Sequence, residues 1–131
     1  MNTLLNEHST PVIARILIAL VFLYAGWGKL TGFDGTVGYI AGAGLPFPEV
    51  LAIVAMIIEI GGGILLVLGH KVREAAIALA IFTIIASVAF HPFWSDSSQT
   101  ILFLKNAAIV GGLLLIARGG MRCLVCKTCP T

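Results

Sequence analysis

The residues that could do chemistry stand where charges are rarely found. Glu59 interrupts an otherwise uncharged apolar run at residues 50–69. Lys105 and Asn106 sit inside a second such run at 100–117, Lys29 near the end of a third at 12–30, and His91 just past a fourth at 75–90. A carboxylate beside a lysine in low dielectric can take up and release protons. A quinone headgroup needs hydrogen-bond donors and acceptors at its carbonyls, and protons when it is reduced. Lysine, histidine, tyrosine and tryptophan can donate to such a group, and Glu59 could relay the proton. The competing reading is a salt bridge that only fixes helix register. No residue is singled out as catalytic.

A second set of reactive groups closes the chain. Cys123, Cys126, Cys129 and Pro130 follow the spacing C-x-x-C-x-x-C-P. Iron–sulfur clusters and structural zinc usually take four ligands, and the chain has three cysteines. The spacing also suits thiol–disulfide exchange, in which one thiolate attacks and a neighbour resolves. The bland alternative is a mobile tail with reduced thiols, since the expected compartment is reducing.

The apolar runs must position these groups. Of 131 residues, 59% are hydrophobic and 11% charged, with a mean hydropathy of +1.05. Soluble domains carry about 25% charged residues, so a water-soluble fold is excluded, and a net charge of +2 gives no footing for nucleic acid. A bilayer crossing takes about 20 apolar residues. The third run in chain order is short, and its helix is expected over 72–91. Stretches such as ILLVL at 64–68 do not alternate as barrel strands do. Continuous apolar backbone in lipid must close its own hydrogen bonds as helix. The expected fold is therefore all-α, a four-transmembrane-helix bundle over residues 1–120, with a cytoplasmic tail at 121–131. The leader 1–11 has no Lys or Arg, which argues against a cleaved signal peptide.

Lys and Arg set the orientation. Arg15, the link with Lys71 and Arg73, and the tail with Arg118, Arg122 and Lys127 alternate with two segments, 31–49 and 91–99, that hold none. The positive-inside rule then places both termini in the cytoplasm. A long outer loop is expected at 31–49, with a short interfacial helix at 36–43 and an extended approach to the second span through Pro46 and Pro48. Its glycines lack the strand and spacing of a phosphate-binding loop.

Helical spacing puts Glu59 on a face with Ala52, Ala55, Gly62 and Gly63, Lys105 with Ala108 and Gly112, and Lys29 with Ala25 and Gly26. Small residues mark close helix approach in membranes, so all three charges are expected to point into the bundle. Counting from the outer ends at 1.5 Å per residue, Glu59 lies about 13 Å deep and Lys105 about 7 Å deep. The expected pair is Glu59–Lys105, with Asn106, Lys29 and His91 close by and Lys29 and His91 near the rim. Arg15 is expected to reach the cytoplasmic interface.

A series of short motifs runs in order along the chain: AGWGKL at 25–30, GFDG at 32–35, GYIA at 38–41, GLP at 44–46, EIGGG at 59–63, FT at 82–83, FH at 90–91, FLKN at 103–106 and GGLLL at 111–115. From about residue 14 to 120 the series resembles the DoxX family of small bacterial and archaeal membrane proteins. The resemblance implies a four-helix inner-membrane protein associated with redox chemistry, because the family is similar to a subunit of a thiosulfate:quinone oxidoreductase and some members are linked to thiol and oxidative-stress defence. The cysteine tail departs from that pattern. The implied partners are the lipid bilayer, a soluble or membrane oxidoreductase and further copies of the chain, with a quinone as the ligand. No haem-ligand pair or flavin motif is present. A non-catalytic membrane anchor or assembly protein, and a small transporter or channel using the same polar cluster, remain as alternatives.

Overall fold

A computed structural model describes the backbone of residues 9–92 and 94–125, and the side chains of 12–92 and 94–119. Among these residues every regular element is a helix: α1 (Ser9–Thr31), α2 (Phe33–Gly42), α3 (Pro48–Leu68), α4 (Val72–Phe90), a 3₁₀ turn at Ser97–Gln99 and α5 (Thr100–Val125). Four stretches are long and apolar enough to cross a membrane: Val12–Thr31, Pro48–Leu68, Val72–Phe90 and Ser97–Gly119. Helix α5 runs into the expected tail, so the backbone at Cys123 is helical, while Cys126 and Cys129 lie outside the described residues.

The spanning helices form a ring in which α1 packs on α3, α3 on α4, α4 on α5 and α5 on α1. Helices α3 and α5 occupy opposite corners and do not pack directly on each other, nor do α1 and α4. Most large side chains on the outside are aliphatic, among them Leu17, Leu20, Ile57, Ile85 and Leu115. The inside is narrow and built of small groups, with Ala19, Ala75, Ala76 and Ala80 buried around Leu66, Leu79 and Leu113. That is the membrane solution: lipid is as apolar as leucine, so close contact is what holds the helices together.

Three glycines set the contacts of α3 with its neighbours. A methyl group at Gly26 would come within 2.5 Å of Ile60 Cγ1, one at Gly62 within 2.8 Å of Leu79 Cγ, and one at Gly63 within 2.9 Å of Leu23. Helix α3 is thus clamped to α1 by Gly26 and Gly63, and to α4 by Gly62. At the far end of α3, Gly69 adopts φ 72° and closes the helix. The Arg15 guanidinium packs against this turn, next to the negative end of the α3 dipole.

The segment expected to be a long outer loop is mostly helix. Gly32 interrupts α1, and the chain re-forms as α2 with Thr36 N–H bonded to Gly32 O. Ile40 is buried, and Tyr39 stacks on Phe90 of α4 at 5.2 Å between ring centroids. The predicted short helix thus starts three residues earlier than expected and packs on α3 instead of lying free. The approach through the prolines is not extended either. Phe47 leaves the right-handed region, as a residue before proline should, but it takes a left-handed φ of 53°. The shift lets the chain reverse from α2 into α3 within residues 43–47.

Candidate functional site

The site grows from the contact at Gly26. Because Gly26 has no side chain, Ile60 and the Cβ of Glu59 approach the α1 backbone. Lys29 stands one residue short of a full turn further along α1, on the same face. Its ammonium reaches both carboxylate oxygens of Glu59, at 2.9 Å to Oε1 and 2.8 Å to Oε2. Glu59 is 5% exposed, whereas the Lys29 side chain keeps 27% of its surface. The acid is sealed between helices and the base remains reachable.

Glu59 lies eleven residues from Pro48 and nine from Leu68, about 16 Å and 13 Å along the axis. It is therefore close to the middle of its span. From the Gly26–Ile60 contact, α1 stops near the level of Ala55 and leaves about the last 10 Å of α3 to α2. The ion pair thus lies just below the break at Gly32. A lysine and a glutamate at this depth stay charged only as a pair with good geometry, and the two short contacts supply it.

The partner differs from the expectation. Glu59 pairs with Lys29, not Lys105. Lys105 is on α5, diagonally across the ring from α3, and is exposed. Its small-residue face failed as a guide because Gly112 alone makes the close contact, against Ile18 of α1, while Ala108 is itself exposed. Lys29 in turn lies deeper than the rim, because the bundle extends past the end of α1 through α2. His91 and Asn106 are not in the Glu59 site. His91 caps the end of α4, its Nδ1 2.8 Å from Gln99 Oε1. Asn106 lines the α4–α5 contact.

Two buried hydroxyls were not singled out from sequence. Thr83 and Ser87 donate along α4 to Leu79 O and Thr83 O, each at 2.7 Å. Their spacing of four in an uncharged run was the available signal. Thr83 stands one turn beyond Leu79, the residue that meets Gly62, which brings it to the level of Glu59. With both protons committed to the helix, these oxygens can only accept. Outside the spans, the backbone N–H of Ser98 bonds Asp96 Oδ1 at 2.9 Å and, with the Ser98 side chain, holds the Asp96 carboxyl below the usual carboxylate range. Among the described residues no group of three or more His, Cys, Asp or Glu could hold a metal ion.

The DoxX family model matches residues 10–92, which covers α1 to α4 and both members of the ion pair. The chain belongs to the DoxX family. Its relatives include the inner membrane protein YqjF of Escherichia coli (strain K12), 36% identical over 87% of this chain and 86% of that protein. The inner membrane protein YphA of the same organism is 39% identical over 83% and 81%. A more distant relative in Bacillus subtilis (strain 168) carries the name "Putative oxidoreductase CatD" and is 29% identical over 73% of this chain and 72% of that protein. No solved structure matches. The four spans and the inner-membrane relatives make this DoxX protein a multi-pass protein of the inner membrane.

Proposed function

We propose that this DoxX protein is a redox-associated component of the inner membrane, in which Lys29 and Glu59 form the proton-handling site for a quinone-linked partner oxidoreductase. The observation that carries the reading is the two-oxygen contact between a buried carboxylate in mid-span and a partly exposed ammonium. The name of the distant Bacillus relative points the same way. A quinone would supply the electron-accepting carbonyls. For its part, the chain offers Lys29 as donor to an oxygen and Glu59 as the group that holds or returns the proton. Thr83 offers an accepting oxygen at the same level. The orientation that goes with this reading has both termini in the cytoplasm, from the Lys/Arg asymmetry.

One observation favours a second reading. Gly26 brings α1 and α3 so close that the same bridge would serve as a clamp between them, in a protein acting as a membrane anchor or assembly partner. The experiment is purification from the native membrane in mild detergent, with organic extraction and identification of bound quinone and of co-purifying proteins. The expected result is retained quinone that is lost on Glu59→Gln in protein that stays folded. Folded wild-type protein with no quinone, and no change in its co-purifying oxidoreductase on Glu59→Gln, would reduce the pair to a clamp.

A further inference from the structure

The seam between α1 and α5 is closed at one level and open at another. A methyl group at Gly112 would come within 2.7 Å of Ile18 Cδ1, so the two helices touch there. Lys105 and Ala108 share the Gly112 face of α5, at offsets of seven and four. Ile116, four residues past Gly112 on that face, is buried, whereas Lys105 and Ala108 are exposed. On α1, Lys29 stands eleven residues beyond Ile18, about three turns, and so on the same face. Its side chain is partly exposed as well. Helix α1 packs far less on α5 than on α3. The two helices thus part from the Ile18–Gly112 contact toward the end where α5 begins, with a lysine on each edge of the opening. From that contact, Lys105 lies seven residues, about 10 Å, along α5, and Gly26 lies eight residues, about 12 Å, along α1. Gly26 is where the Cβ of Glu59 meets α1. The opening therefore faces the side of the bundle at the depth of the ion pair. Lys105 forms no ion pair or hydrogen bond with any described residue, and an unmatched ammonium at that depth is costly.

The placement selects the occupant. A molecule that enters here comes from lipid, because the opening is lateral. It must bring an acceptor for Lys105. Phospholipid phosphates stay outside the hydrocarbon core, so the acceptor belongs to a compact apolar ring and not to a headgroup. The two carbonyls of a p-quinone point in opposite directions from one ring, and one molecule can accept from Lys105 on one edge while its other oxygen faces Lys29. We infer that the α1–α5 opening is the lateral entrance by which a membrane quinone reaches the Lys29–Glu59 pair, with Lys105 as its second hydrogen-bond donor. Ala108, the small residue one turn from Lys105, leaves room for the ring, and the isoprenoid tail stays in lipid. The inference rests on the reading of Lys29 and Glu59 as a quinone-linked site, and adds to it a route and a binding residue on α5.

The test uses the full chain in mild detergent, freed of endogenous quinone and titrated calorimetrically with decylubiquinone. Lys105→Met and Ala108→Phe are each expected to weaken binding at least fivefold while the protein stays folded, since neither side chain is packed in the bundle. Ile57→Phe, on the exposed side of α3, is expected to bind as the wild type does. A photoreactive azidoquinone is expected to label the wild-type chain within residues 101–108. Binding unchanged in Lys105→Met and Ala108→Phe but lost in folded Glu59→Gln would overturn the entrance and leave the reading of the ion pair standing. Label confined to α4 would do the same. Folded wild-type protein that binds no quinone would overturn both.

Discussion

The functional weight of the molecule falls on Glu59, whose importance was legible from sequence and whose partner was not. Glu59 is the one carboxylate inside the apolar run at 50–69, and at that depth it must be buried against a cation or a ligand. Choosing between Lys29 and Lys105 needed the ring order of the helices, and a single sequence says nothing about which corners are adjacent. The pair makes a sharp energetic prediction. Glu59→Gln leaves the Lys29 ammonium without its anion, at a cost of about 3 kcal/mol, the low end for breaking a buried pair because Lys29 is partly exposed. The double change Glu59→Gln, Lys29→Met removes the stranded charge and is expected to recover most of that loss. Lys105→Met is expected to leave stability unchanged. Unfolding in mixed micelles of rising denaturing-detergent content reads all three.

At the scale of elements, the helices were legible because their apolar runs are unbroken, and observed ends fall within three residues of the expected ones for α3 and α4. The segment at 31–49 was misjudged because its glycines read as loop, whereas they flank or sit within a helix that α3 supports from below. Close approach at Gly26 is the element-level counterpart of the ion pair. Gly26→Val is expected to force α1 from α3 and to destabilise as strongly as Glu59→Gln, while Gly28→Ala, which meets nothing within 4 Å, is expected to be silent. Both are read by the same unfolding assay. The start of α5 carries a pH dependence. The Asp96 carboxyl is held below its unfolded value of about 3.9 by the Ser98 backbone N–H. Its contribution is therefore complete above that value and lost as pH falls through the lowered one. Asp96→Asn is expected to remove this acid-side dependence and to speed amide exchange at Ser98 and Gln99, with little effect at neutral pH.

For the whole molecule, the spans and the inner-membrane setting were written in composition, and the ordered motifs carried the family. What composition could not show is that α1 is followed at once by a second helix, α2, set off from it at Gly32 and packed on α3. The arrangement places Asp34 and Asp96 at one end of the bundle and Lys71 at the other. Single cysteines at these positions, in a background with Cys123, Cys126 and Cys129 replaced by serine, are expected to separate accordingly. Those at Asp34 and Asp96 should react with an impermeant thiol reagent in intact cells, and the one at Lys71 only after the membrane is opened. Labelling in the reverse sense would invert the orientation taken from the positive-inside rule.

The thirty residues between Lys29 and Glu59 also have a consequence for biosynthesis. The ribosome completes α1, with its lysine, well before the glutamate that neutralises it has been made. A lysine opposes insertion most at the centre of a span, by roughly 3 kcal/mol on the translocon scale, and Lys29 stands two residues from the end of its own at Thr31. Helix α1 can therefore enter with the ammonium reaching toward the interface, and the carboxylate that draws it inward comes only with α3. The first two crossings of this protein are then latched to each other after both have entered, by a contact that neither could make alone.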